Sequence, residues 1–166
     1  MSRDLVKRQY VVNSNAPPRV RTPAGDAFAA LAIGVIRLAG HLTLDGDALA
    51  RPAGQTSARW QVLAGASHAN MSVAEIARAL GLARQGVQRL ADLLEADGLA
   101  RYEDNPAHRR AKLLLLTPEG ERVLATIKAR QTVWANTLGA KIGEGEIRAA
   151  SAVLGKVLDA LRARGE

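Results

Sequence analysis

The feature that most constrains this chain is the punctuated run from Met71 to Gly120. It opens with Ser72-Val73-Ala74-Glu75, where the hydroxyl and the carboxylate three residues later can each accept an otherwise unpaired amide proton, so a helix start is specified there. Val73, Ile76 and Leu80 then share one helical face, and Gly81 stops the element. After three or four residues a second helix begins, with Val87, Leu90, Ala91 and Leu94 on one side, and Gly98 ends it. Beyond it, Leu99 to Tyr102 and Ala111 to Leu116 read as antiparallel strands around Glu103 to Arg110, with Asn105-Pro106 as the turn signal. Two short helices joined by a glycine turn make a helix-turn-helix, and a basic hairpin beside one makes a wing.

The flanks predict longer helices. From Ala24 the residues Phe28, Leu31, Ala32, Val35, Leu38, Ala39 and Leu42 recur at helical spacing, and Asp45-Gly46-Asp47 reads as their end. A further helix over about Thr56 to Leu63 pairs Trp60 with Leu63, with Gly65 as its terminator. Thr117-Pro118 starts another, threonine as cap and proline at the first position, where its missing amide proton costs nothing. That helix runs through Val123, Leu124 and Ile127 towards Leu138; Gly139, Gly143 and Gly145 mark a break, and a last helix carries Ile147, Val153, Leu154, Val157, Leu158 and Leu161. The expected fold class is mainly α with a small β-hairpin wing, a winged helix-turn-helix with N- and C-terminal dimerisation helices. Its expected divisions are a flexible basic arm over 1–23, an N-terminal dimerisation helix and loop over 24–52, the DNA-binding domain over 53–120 and C-terminal dimerisation helices over 121–166.

Lys and Arg outnumber Asp and Glu by 23 to 16, and the formal charge of +7 favours a polyanionic partner. Aromatics make up only 3% of residues, which disfavours single-strand and RNA platforms that stack bases on rings and leaves double-stranded DNA as the expected partner. The chain has no cysteine, and His41, His68 and His108 show no zinc spacing, so no metal or cofactor is expected. No phosphate-binding loop, dinucleotide fingerprint or nucleophile elbow occurs, and Asp92, Glu95 and Asp97 read as solvated helix charges, so an enzyme is not expected. Uninterrupted apolar runs such as Ala27 to Val35 fall short of the roughly 18 residues of a membrane span, which points to a cytoplasmic protein with no membrane partner.

Arg84, Gln85, Gln88 and Arg89 lie on the side of the second helix away from Val87 and Leu90. Arg and Gln side chains make bidentate contacts with base edges in the major groove, so these four are the candidate base readers. Arg101, His108, Arg109, Arg110 and Lys112 on the hairpin are candidate DNA contacts. The basic residues Arg3, Lys7, Arg8, Arg19 and Arg21 of the arm are placed to touch phosphates. The outer helices carry apolar faces that are costly to leave wet, and interlocking with a second copy covers them. A two-fold homodimer also sets two recognition helices about 34 Å apart, one DNA turn.

Leu80-Gly81-Leu82, Leu93 to Arg101, Arg110 and Leu116-Thr117-Pro118-Glu119-Gly120 together resemble the MarR family of transcriptional regulators, whose corresponding stretches read LExxGLVxR and DxRxxxxxLTxxG. The resemblance spans roughly Phe28 to Leu161. It implies a dimeric repressor at a palindromic operator, released in many members by a small aromatic or acidic effector bound between the dimerisation helices and the DNA-binding lobe. Ile36, His41 and Trp60 are the candidate ligand-binding residues. Three positions depart from the pattern: His108 stands where the wing usually has Asp, and Ala83 and Gly86 where the recognition helix often has Ser or Thr. The alternatives are a winged-helix protein-interaction adaptor, which would bind its partner regardless of salt, and an architectural protein binding all duplexes alike.

Overall fold

The computed structural model describes residues 20–68, 71–106, 108 and 111–163. Its elements run α1 (Pro23–Ala50), a 3-10 turn (Arg51–Ala53), α2 (Ser57–Ala66), α3 (Val73–Leu80), α4 (Arg84–Ala96), β1 (Ala100–Glu103), β2 (Leu113–Leu116), α5 (Pro118–Ile142) and α6 (Glu144–Arg162). The chain divides into two units, Met1–Gly40 and His41–Glu166.

In the second unit, the capping box forms as the spacing predicts. Ser72 Oγ accepts the Glu75 amide at 3.4 Å, while the Ser72 amide and hydroxyl donate to Glu75 Oε2 at 2.8 and 2.7 Å. The α3 helix ends at Gly81, whose φ of +66° places it in the left-handed region that residues with a Cβ rarely enter. The core gathers Val62, Leu63 and Ala66 from α2, Val73, Ile76 and Ala77 from α3, Val87, Ala91 and Leu94 from α4, and Leu99, Ala100, Leu114 and Leu124 around the hairpin and α5. Full burial of an aliphatic side chain contributes about 1.5–3 kcal/mol, so this cluster is what holds the helices at fixed angles. Leu80 and Leu90 are half-buried at its margin.

The strands pair antiparallel, with Ala100 opposite Leu116 and Glu103 opposite Leu113. The first strand is shifted one residue from the sequence reading, with Leu99 a core residue before it and Glu103 its last member, and the second is shorter, since Ala111 and Lys112 precede β2. Leu114 N donates to Met71 O at 3.0 Å, fastening the hairpin to the start of α3.

Several glycines expected as stops are packing positions instead. The Asp45-Gly46-Asp47 segment lies inside α1, because each polar group finds a tertiary partner: Asp47 Oδ1 accepts the Ser57 amide at 2.6 Å, and Asp45 Oδ2 accepts Trp134 Nε1 at 3.0 Å. A Cβ at Gly46 would stand 2.5 Å from Ser57 Oγ. Gly65 likewise lies within α2, where a Cβ would meet Ile76 Cγ2 at 2.7 Å. Of the three glycines expected to mark the late break, only Gly143 does so; Gly139 is inside α5 and Gly145 inside α6.

The segment Pro23–Ala53 is long and apolar enough, by length and composition, to cross a membrane, with a mean hydropathy of 1.7 over 18 residues. Core helices of soluble proteins reach the same length and composition, so the expectation drawn from uninterrupted runs is not overturned; the two readings differ because Arg37 and His41 interrupt the stretch. In the first unit Phe28, Ile33, Val35, Ile36 and Leu38 are exposed; in the second, so are Leu42, Leu44, Ile147, Val153, Leu158 and Leu161. None of the residues of α6 is buried.

The capping box gives a pH-dependent term. The Ser72 hydroxyl, then the Ser72 amide, hold the Glu75 carboxyl below its ordinary 4.5. A carboxyl lowered in the folded state adds stability above its unfolded value, and that contribution disappears as pH falls from about 4.5 through the folded value. Glu75→Gln is expected to flatten the stability profile in that acid window, as read by urea denaturation at stepped pH. Ser72→Ala should cost about 1 kcal/mol at neutral pH by removing the cap.

Candidate nucleic-acid interface

The α4 helix starts without a side-chain cap, since Ala83 supplies no hydroxyl, and its apolar stripe of Val87, Ala91 and Leu94 is fixed in the core. That anchoring forces the opposite side outward. Arg84, Gln85 and Arg89 are exposed there and, among the described residues, make no side-chain hydrogen bond or ion pair. Asp92 and Leu93 continue the same groove. Arg84 and Lys112 also line a cleft of about 260 Å³ with Ser72, Gln88 and Tyr102, where the starts of α3 and α4 meet the hairpin. The structure thus brings together Arg84, Gln88 and Lys112.

Gln88 is arranged differently from its neighbours. Its Nε2 donates to Asp92 Oδ1 at 2.8 Å and to the Tyr102 hydroxyl at 2.7 Å, and that hydroxyl donates to the same carboxylate oxygen at 2.7 Å. Burial, then the Asp92 carboxylate, push the Tyr102 hydroxyl well above its ordinary value, so it remains a protonated donor. Asp92, expected as a solvated charge, is therefore the acceptor of a three-residue network. Asp97 is also paired, accepting Arg59 Nη2 at 2.5 Å, while Arg59 Nε donates to Gln55 Oε1 at 2.7 Å.

Alternation along β1 sends Arg101 and Tyr102 to opposite faces of the hairpin. Tyr102 meets α4, whereas Arg101 lines a cavity of about 450 Å³ with Glu121, Leu124 and Lys128 of α5. Arg101 Nε donates to Glu103 Oε1 at 2.8 Å and Nη1 to Leu116 O at 3.1 Å, so its guanidinium is drawn along its own hairpin. His108 is exposed in the connecting loop, its amide on Asn105 O at 3.2 Å and its carbonyl accepting Ala111 N at 2.9 Å. Arg109 and Arg110 lie outside the described residues, as do Arg3, Lys7, Arg8 and Arg19 of the arm.

Of the candidate ligand residues, Trp60 lines a cavity of about 510 Å³ together with Leu42, Leu49, Ile76, Leu80, His68, Lys128 and Trp134. His41 is exposed and outside that lining, and Ile36 belongs to the first unit, where it is 72% exposed. Sequence reasoning missed Trp134 and Lys128, which come from α5 far along the chain. Their spacing on that helix, six residues, carries no signal unless the partner surface is known.

Residues 53–111 match the sequence model of the MarR family. The chain is 41% identical over 138 residues to the uncharacterized protein Rv2011c of Mycobacterium tuberculosis, covering 83% of this chain and 96% of that one. Among solved structures it is similar to the M. tuberculosis transcriptional regulator MosR in complex with DNA, at 28% identity and a TM-score of 0.64, over 79% of this chain and 97% of that one. It is similar also to the transcriptional repressor CouR bound to a 23-mer DNA duplex, at 25% identity and a TM-score of 0.69, over 84% and 99%. A mainly helical chain with a two-stranded hairpin beside its helix-turn-helix, matched by this family model and these structures, belongs to the MarR family of transcription regulators.

Proposed function

We propose that this regulator binds a palindromic double-stranded operator as a homodimer and acts in the cytoplasm as a repressor released by a small effector. The observation that carries the reading is the exposed row of Arg84, Gln85 and Arg89 on a helix whose other side is locked in the core. Such a helix suits the major groove, where its donors would meet base edges, and we assign Lys112 and His108 of the hairpin to phosphates of the flanking backbone. Arg101, Arg109 and Arg110 complete the proposed contact set. MosR and CouR, which share the fold, are both bound to DNA in solved structures.

The exposed apolar side chains of the first unit and of α6 support the homodimer. Their exposure in a single chain would cost free energy in water, and a second copy removes it without any new kind of partner. For the effector, the cavity beside Trp60 and Trp134 is of drug-sized volume, aromatic and apolar, with Lys128 at its edge, which suits a flat aromatic acid.

Selection from a random duplex pool at physiological salt, followed by affinity and stoichiometry on the enriched fragment, tests the reading. A palindromic consensus bound by one dimer supports it, and equal affinity for a scrambled control overturns it. Release of the enriched duplex by an aromatic carboxylate tests the effector. In the same assay Lys112→Ala should weaken every duplex alike and reduce the slope of log affinity against log salt by about one phosphate equivalent. An unchanged slope removes Lys112 from the backbone contacts.

A further inference from the structure

We infer that Gln88 reads no base but is a positioning residue, fastening the hairpin to α4 through Asp92 and Tyr102; the inference rests on the DNA-binding reading above. A glutamine that reads adenine uses its amide as a pair, accepting from N6 through Oε1 while donating to N7 through Nε2. Nε2 is held between two acceptors of this chain, Asp92 Oδ1 and the Tyr102 hydroxyl. A contact with N7 would have to displace these bonds. Turning the amide over does not help, because it would set Oε1 against the Asp92 carboxylate, which only accepts. The Tyr102 hydroxyl has a single hydrogen, directed to the same carboxylate, so the three groups close a ring of bonds among themselves.

The placement of the three residues gives the network its consequence. Gln88 and Asp92 are one turn apart on α4, and Tyr102 is on β1, opposite Leu114 of β2. The backbone of α4 reaches β1 through the Gly98 turn, and the triad is a second tie between the same two elements, on the side facing the Arg84 and Lys112 cleft. With it closed, the hairpin cations and the base readers of α4 meet DNA in one fixed relation. Base reading then falls to Arg84, Gln85 and Arg89.

The test uses the full chain, the enriched duplex and a set of duplexes in which each base pair is changed in turn. Gln88→Ala and Tyr102→Phe are each expected to weaken all duplexes by one common factor, roughly 3- to 10-fold, leaving their rank order as in the wild type. Both variants should also lower the salt slope by up to about one phosphate equivalent, although neither removes a charge, because a loosened hairpin makes fewer backbone contacts. Tyr102→Phe keeps the ring that packs on the core, and thermal unfolding of each variant separates loss of fold from loss of positioning. A Gln88→Ala protein that loses preference at one base pair while Tyr102→Phe keeps it overturns the inference and makes Gln88 a base reader. A Tyr102→Phe protein with wild-type affinity and slope overturns it as well. A wild-type chain with no duplex affinity overturns the DNA-binding reading itself, and the inference with it.

Discussion

Replacing Gly120 by alanine is expected to lower the unfolding free energy by roughly 3–5 kcal/mol. A Cβ at this position would stand 1.9 Å from Leu99 O and 2.9 Å from its carbonyl carbon, and both are backbone atoms. That backbone has nowhere to go. Leu99 O accepts the Thr117 amide at 3.2 Å, and the Thr117 hydroxyl donates to Gly98 O at 2.7 Å while accepting the Gly120 amide at 3.1 Å. Moving the start of α5 outward breaks these bonds and opens the core around Leu99 and Leu124, both buried. Domains of this size are stable by only about 5–15 kcal/mol, so the loss is a large part of the whole. Urea denaturation should show a lower midpoint at unchanged slope. Gly86→Ala is the matched control, because nothing lies within 4 Å of a Cβ there and a helical alanine should add about 0.5–1 kcal/mol. A Gly120→Ala protein as stable as the wild type would refute the requirement for close approach.

Arg89→Ala should narrow the difference in affinity between the enriched duplex and a scrambled one by about 1–3 kcal/mol, roughly 5- to 150-fold. Arg89 is exposed on α4, and no partner among the described residues competes for its guanidinium. A bidentate pair with guanine O6 and N7 uses that planar fork, and the cost of its loss falls on one sequence and not on others. Lysine at the same position keeps the charge but not the fork, so Arg89→Lys should retain affinity for the scrambled duplex while losing most of the discrimination. Titrations of both variants against both duplexes decide it. Unchanged discrimination in Arg89→Ala would place base reading elsewhere on α4.

What could be read from the residues was local. The Ser72 and Glu75 box, the Gly81 stop and the apolar side of α4 depend on neighbours three or four residues away, and a linear pattern contains those neighbours. The exposed row of Arg84, Gln85 and Arg89 followed from the same periodicity. Gln88 shared that periodicity and was grouped with them. One of its two partners, Asp92, sits at helical spacing but reads in the sequence as a solvated charge; the other, Tyr102, becomes its neighbour only through the hairpin's position against α4.

Glycine shows the division most plainly. In a sequence Gly46, Gly65 and Gly120 look like Gly81, and a stop is the reading that local propensity offers. All three lie within helices, and each leaves room for an atom from elsewhere: Ser57 Oγ, Ile76 Cγ2 and Leu99 O. The aromatic cavity has the same origin, since Trp134 reaches Asp45 across 89 residues and joins Trp60 there. By itself the sequence determined which segments become helices or strands and which side of α4 faces outward, because hydrogen bonding and apolar periodicity act over one helical turn. Only the tertiary structure decided which glycines are contacts, which cations are engaged and where the cavity lies, because those depend on distances between segments that the chain brings together only when the core closes.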